Sequence, residues 1–70
     1  MNNQRGRKVL RMKGVMDMTG LSRSAIYKKV ADNQFPRQIK LGARASGWLF
    51  DEVAGWLNNQ VAISRPGQGL

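Results

Sequence analysis

The stretch Thr19–Val30, TGLSRSAIYKKV, decides the fold of this chain. Gly20 adopts a left-handed backbone conformation without steric cost, so it is expected to end the apolar segment that precedes it. Ser22 is a good N-cap, because its hydroxyl accepts a hydrogen bond from a free amide in the next turn. Ile26 and Val30 follow four residues apart, which predicts a helix that begins at Ser22 and turns this pair toward a core.

The other face of this helix is polar and basic. Ser24 and Lys28, also four residues apart, lie opposite the apolar pair, and Arg23 and Tyr27 lie on a flank between the two faces. Leu21 is apolar within a tight turn, so we expect it to fill the space between two helices. A helix, a glycine turn and a capped helix with a basic face are typical of a helix-turn-helix DNA-binding motif. An ordinary helical hairpin on a basic protein is the alternative.

A short amphipathic helix is predicted before the glycine turn, over Lys13–Thr19. Its apolar side consists of Val15, Met16 and Met18, and the methionines are interpreted as core-filling residues. Val9–Met12 alternates weakly between apolar and polar residues, which indicates a short strand or an extended lead-in.

A β-hairpin is predicted after the central helix. Gln38–Leu41 alternates with period two, and Trp48–Phe50 is rich in aromatic residues, as strands often are. The intervening Gly42–Gly47 is interpreted as a loop with Arg44 near its tip, where an arginine can enter a DNA minor groove. A hydrated tip residue is the alternative for Arg44. Phe35, the apolar residue of a polar loop, is assigned to the edge of the core.

A third helix is expected to begin at Asp51, which is a credible N-cap, with Glu52 adding negative charge at the favourable helix end. Gly55 should cost this helix about 1 kcal/mol relative to alanine. Val61 and Ile63 either extend the apolar stripe of the helix or drape over the core. The stripe itself is formed by Val53, Trp56 and Leu57.

The positive charge is concentrated in one part of the chain. The 70 residues carry a net charge of +8. Residues 1–44 hold eleven basic side chains against Asp17 and Asp32, a net of +9, whereas residues 45–70 hold one basic and two acidic side chains, a net of −1. Such asymmetry favours a surface that faces a polyanion. A simple contribution to solubility is the alternative.

The composition argues against an enzyme. The chain has neither cysteine nor histidine, which removes thiolate metal ligands together with the commonest general base and metal ligand. Asp51 and Glu52 are adjacent, but helix capping explains them. We therefore expect no catalytic residue, no metal site, no cofactor and no small-molecule ligand.

The chain is short enough for a single domain. We predict a disordered basic arm over 1–8, a DNA-binding domain over 9–63 and a disordered tail over 64–70. The apolar runs are too short to cross a bilayer, and no signal peptide is recognised. The expected location is therefore cytoplasmic, associated with the nucleoid.

Several separated blocks of the sequence resemble the AlpA family of small prophage regulators. The similarity covers about residues 10–58, and the blocks occur in the same order as in the family. They are Thr19–Lys28, Phe35-Pro36-Arg37, Lys40-Leu41-Gly42 with Arg44, Gly47-Trp48, and Val53 with Trp56-Leu57.

The resemblance implies a winged helix-turn-helix related to MerR-like and excisionase domains. The expected fold class is α+β, mainly α, with three helices and a two-stranded β-hairpin wing. The resemblance further implies a regulator of a phage or mobile element that acts on transcription, on site-specific excision, or on both. Phe50 and Gly55 depart from the family pattern, and these departures bear on stability or association rather than on DNA binding.

The expected partner is double-stranded DNA. By the resemblance, Ser22–Val30 is the recognition helix. We expect Arg23 and Lys28 to contact guanines or phosphates, and Tyr27 to contact a phosphate or pack at the core rim. Lys29 points sideways toward a phosphate. The complete predicted set of DNA-binding residues is Ser22, Arg23, Ser24, Tyr27, Lys28, Lys29 and Arg44.

Other partners and functions stay open at this point. A domain of this size makes a small footprint on DNA, so we expect several copies to bind together, and contact with an integrase is open. An RNA-binding module is a second hypothesis, disfavoured by the small number of aromatic residues. A phage adaptor that binds an acidic host protein is a third.

Overall fold

The computed structural model describes residues 8–65, which form three helices and three strands. The predicted class, a mainly helical α+β chain, is confirmed, and three helices with a small antiparallel sheet are compatible with a small winged helix-turn-helix. The predicted arm and tail fall largely outside the described residues. The elements in chain order are β1 (Val9–Leu10), α1 (Met12–Thr19), α2 (Arg23–Ala31), β2 (Ile39–Gly42), β3 (Ala45–Leu49) and α3 (Phe50–Ser64).

The sheet has one strand more than the predicted hairpin. Its strand order is β1-β3-β2, and both pairings are antiparallel. Within it, Leu10 of β1 lies opposite Trp48, and Ile39 of β2 lies opposite Gly47. Of the two alternatives for Val9–Met12, the short strand is therefore correct for Val9 and Leu10, whereas Met12 is the first residue of α1. This strand is only two residues long, and it is ordered by its pairing with β3.

The hairpin turn is tighter than predicted. Only Ala43 and Arg44 separate β2 from β3, so the predicted loop over Gly42–Gly47 is wrong. Gly47 is a buried residue of β3 between the two outer strands, where a Cβ atom would lie 2.7 Å from the carbonyl oxygen of Leu10. The glycine is required there by the close approach of β1, a constraint that the local sequence does not reveal.

The core takes one buried residue from each of the three helices, one from β3 and one from the connection between α2 and β2. The buried members are Val15, Ile26, Phe35, Trp48 and Val53. Val15, Ile26 and Val53 agree with the apolar positions predicted for the three helices, and Phe35, predicted at the core edge, is itself buried. Partly buried side chains that pack against them include Leu10, Met12, Met16, Met18, Leu21, Val30 and Trp56.

Both tryptophans fasten the connection between α2 and β2. The indole N–H of Trp48 donates to the carbonyl of Pro36 at 2.9 Å, and that of Trp56 donates to the carbonyl of Gln34 at 2.8 Å. Phe35 lies between them, edge-on to both rings, with centroid distances of 6.4 Å to Trp48 and 4.8 Å to Trp56. Aromatic pairs prefer this geometry, so the connection is packed on the core rather than loosely hydrated.

The third helix begins earlier than predicted. Its N-cap is Leu49 and its first residue is Phe50, so the assignment of Asp51 as N-cap and of Phe50 to a strand is wrong. The Phe50 amide donates to the carbonyl of Lys8 at 2.8 Å, which satisfies a first-turn amide without a capping side chain. Asp51 and Glu52 occupy the first turn, where they interact favourably with the helix dipole.

The last turns of α3 extend past the core. Val61 and Ile63 are 45% and 62% exposed, so they continue the helix but do not drape over the core. None of the helices within residues 8–65 has the length and apolar character needed to cross a membrane.

Candidate nucleic-acid interface

The turn before α2 is held by local hydrogen bonds that the sequence encodes. Gly20 has φ 76°, and its amide donates to the carbonyl of Met16 at 2.8 Å, which closes α1. The Leu21 amide donates to the hydroxyl of Thr19 at 3.2 Å. The Ser22 hydroxyl then accepts from the Ala25 amide at 3.1 Å, as an N-cap does. These contacts fix the direction in which α2 leaves the turn.

The predicted polar face of α2 is on the surface. Ile26 is fully buried, whereas Arg23, Ser24 and Lys28 are exposed. Tyr27, whose surroundings the sequence left open, is 47% exposed and is not a core residue. The helix therefore presents cationic and hydroxyl groups to solvent, while the burial of Ile26 on its opposite side holds it against the core.

Lys28 forms an ion pair along the helix. Its ammonium lies 3.5 Å from a carboxylate oxygen of Asp32, and both side chains are solvent-exposed. Exposed pairs of this kind contribute about 0.3–0.5 kcal/mol. The Lys28 ammonium can therefore exchange this carboxylate for another anion at little energetic cost.

Tyr27 and Arg44 line one cleft, although they belong to different elements. The cleft has a volume of about 270 Å³ and lies between the start of α1, the side of α2 and the hairpin. Arg11, Lys13 and Ser46 line it as well. None of these three residues belongs to the set predicted from the sequence to bind DNA. Their common position depends on the pairing of β1 with β3, which no local pattern signals.

Lys29 is separated from the rest of the predicted set. It is half-buried and lines a different groove, about 570 Å³ in volume, together with Phe35, Trp56 and Asn59. The structure thus assigns Tyr27 and Lys29 to different grooves, one on each flank of α2. Ser24 and Lys28 lie on the exposed surface between these flanks.

The carboxylates leave most of this surface cationic. Asp17 is paired with Lys13 at 3.2 Å and Asp32 with Lys28 at 3.5 Å, and the remaining two acidic residues, Asp51 and Glu52, lie in the first turn of α3. Within residues 8–65, no carboxylate comes within 4 Å of the guanidinium groups of Arg11, Arg23 and Arg44. Their positive charge is available to an anion from outside the chain.

Comparison with known proteins identifies relatives of this chain. The model of the family described as "Prophage CP4-57 regulatory protein (AlpA)" matches residues 8–61. An uncharacterized protein, ORF88, of Enterobacteria phage P4 is 40% identical over 58 residues, which cover 83% of this chain and 66% of the phage protein. The DNA-binding transcriptional activator AlpA of Escherichia coli (strain K12) is 32% identical over 69 residues, which cover 90% of this chain and 99% of that protein. No solved structure matches.

Proposed function

Because the chain belongs to the AlpA family of phage regulatory proteins, we propose that it binds specific sequences in double-stranded DNA and regulates transcription. A relative that is 32% identical carries the name of a DNA-binding transcriptional activator, which supports this function. The family consists of regulators and not of enzymes. Site-specific excision, alone or beside transcription, belongs to the same proposal.

The observation that carries the proposal is the exposed face of α2. A recognition helix needs side chains that reach base edges and a backbone that keeps them in position. Arg23, Ser24 and Lys28 are exposed, while Ile26 on the opposite side is fully buried. We propose that α2 lies in the major groove, where Arg23 and Lys28 donate to guanine or phosphate acceptors and Ser24 reads a base edge.

The ends of the interface are proposed to contact the DNA backbone. The N-terminus of α2 at Ser22 carries partial positive charge and is suited to a phosphate. Arg44, in the two-residue turn of the hairpin, is proposed to contact the adjacent groove or backbone. Lys29, on the other flank of α2, is the proposed contact to the opposite strand.

Several copies are proposed to act together on DNA. One module of this size buries about 600–1,000 Å² on DNA, which limits the affinity of a single copy. Repeated or inverted sites would raise the overall affinity through multiple attachment. Contact with an integrase is part of the proposal only where excision is the output.

Protection mapping tests the proposed function. The probe is duplex DNA from the promoter and attachment regions beside the protein's own gene, with scrambled duplex of the same base composition as competitor. We expect protected segments at regular spacing, and a footprint limited to one half-site at saturating protein would contradict multi-copy binding. Equal binding to scrambled duplex, or preference for single-stranded RNA or an acidic protein, would overturn DNA recognition.

Variants of α2 make this test specific. The double variant Ser24→Ala, Lys28→Ala should lose the protected segments while its circular dichroism stays that of the parent. Arg65→Ala is the control, because it also removes a cation but lies at the C-terminal end of α3. A double variant that protects the same segments as the parent would show that α2 does not read the DNA.

A further inference from the structure

We infer that the cleft between α1, α2 and the hairpin binds one phosphate of the DNA backbone. Arg11, Lys13 and Arg44 supply the charge, and the hydroxyls of Tyr27 and Ser46 supply further donors. The inference rests on the proposed function and deepens it. It adds Arg11, Lys13 and Ser46 to the interface and, of the two alternatives for Tyr27, assigns it the contact to a phosphate.

The cleft gathers like charges from distant parts of the chain. Arg11 precedes α1, Lys13 lies in its first turn, and Arg44 comes from the turn between β2 and β3. In the part of the chain that the structure describes, Asp17 is the one carboxylate paired with any of them, through an exposed contact to Lys13. A phosphate would relieve the mutual repulsion of these cations, and charged hydrogen bonds to phosphate are about twice as strong as neutral ones.

The two hydroxyls in the cleft are placed to donate. Ser46 Oγ already accepts a hydrogen bond from the side-chain amide of Gln38 at 2.9 Å, so its own proton is free to turn toward a second group. The Tyr27 hydroxyl has no hydrogen-bond partner within residues 8–65. The polar side chains that line the cleft are thus cations and hydroxyl donors, a combination that favours an anion over a base edge.

The walls of the cleft form one packed unit. Arg11 directly follows β1, and Ser46 lies in β3, to which β1 is paired. Trp48, only 1% exposed, also lines the cleft, and its indole is bonded to Pro36. A phosphate held here would be fixed relative to the sheet and to α2 at once. The contact would therefore set the register in which α2 meets the bases, as backbone contacts do in other DNA-binding proteins.

The salt dependence of duplex binding tests this site. Each phosphate that a protein neutralises contributes about 0.9 to the slope of log K against log salt concentration. Because both side chains act on the same phosphate, we expect Arg11→Gln and Arg44→Gln each to lower the slope by at most about 0.9, and to weaken binding to specific and scrambled duplex by the same factor. Arg65→Gln, with the same change in net charge, should leave the slope unchanged.

A chemical scan of the duplex then locates the phosphate. Single phosphates are replaced by uncharged methylphosphonates, and binding is compared between the parent, Arg11→Gln, Arg44→Gln and Tyr27→Phe. One position should weaken the parent and have a smaller effect on all three variants, because they share that contact. Separate positions for Arg11 and Arg44, or slopes equal to that of Arg65→Gln, would overturn the inference while leaving DNA recognition intact. If the three variants share one phosphate position but the parent protein binds specific and scrambled duplex equally well, the inference stands and only the proposed sequence-specific function is overturned.

Discussion

Leu10 and Gly47 are in closer contact than any side chain at position 47 would allow. A Cβ on Gly47 would lie 2.7 Å from the Leu10 carbonyl oxygen and 2.8 Å from a methyl carbon of Val9. The obstacle is partly backbone, which cannot move aside as the end of a flexible side chain can. The attachment of β1 to the sheet, and with it the position of Arg11, depends on the missing side chain.

Gly47→Ala should therefore destabilise the protein. Forcing one methyl group into a packed site costs about 1–3 kcal/mol, measured as the free energy of unfolding in urea. Gly42→Ala is the matched control: it also lies in the hairpin, nothing lies within 4 Å of its added Cβ, and we expect a change within about 0.5 kcal/mol. Equal stability of the two variants would contradict the close approach of β1.

Gly55→Ala should stabilise the protein. Gly55 is an exposed residue inside α3, and an added Cβ meets nothing within 4 Å. Alanine in a helix interior is favoured over glycine by about 0.5–1 kcal/mol, so the thermal midpoint should rise. A lower midpoint would show that a partner or a second copy packs against this position.

The two indole hydrogen bonds should differ in strength. Trp48→Phe leaves the partly buried Pro36 carbonyl without its partner and creates a small cavity, a loss of about 1–3 kcal/mol. Trp56→Phe removes a more exposed bond to Gln34, which water can replace, so we expect a smaller loss. Urea denaturation of both variants gives the comparison, and a larger loss for Trp56→Phe would contradict it.

Ser22 allows stability and DNA binding to be separated. Ser22→Ala removes the bond from the Ala25 amide and should cost about 1 kcal/mol of stability. Ser22→Asp keeps a capping oxygen, so stability should stay near that of the parent, but its carboxylate would repel a phosphate at the helix N-terminus. We expect Asp to weaken duplex binding more than Ala does. The reverse order would place the phosphate elsewhere.

The parts of the fold that depend on residues close together in the sequence could be predicted from the sequence. Gly20 and Ser22 signal the turn and the start of α2 through local backbone chemistry, and the spacing of Ile26 and Val30 gives its buried side. The start of α3 could not be predicted, because its first amide is satisfied by Lys8, which is far away in the sequence. The sequence predicts a capping side chain, whereas the backbone carbonyl of Lys8, the residue before β1, accepts from this amide.

In the candidate site, too, features set by local sequence could be predicted and features set by distant contacts could not. The exposure of Ser24 and Lys28 follows from helical periodicity, and both are found on the surface. The cleft was not predictable, since Arg11 and Lys13 come beside Arg44 only when β1 pairs with β3. Lys29 was grouped with the other contacts because it lies in the same helix, whereas the packing of Phe35 and Trp56 places it in a separate groove.

Strand β3 passes into α3 without a single connecting residue, since Leu49 ends one and Phe50 begins the other. Inserting one residue at this junction would rotate the helix by about 100° and carry Val53 away from the centre of the protein. Evolutionary changes of chain length should therefore be absent here. They should accumulate instead at the hairpin tip around Ala43. A longer turn there disturbs neither β2 nor β3, and it would let the hairpin contact more of a bound duplex.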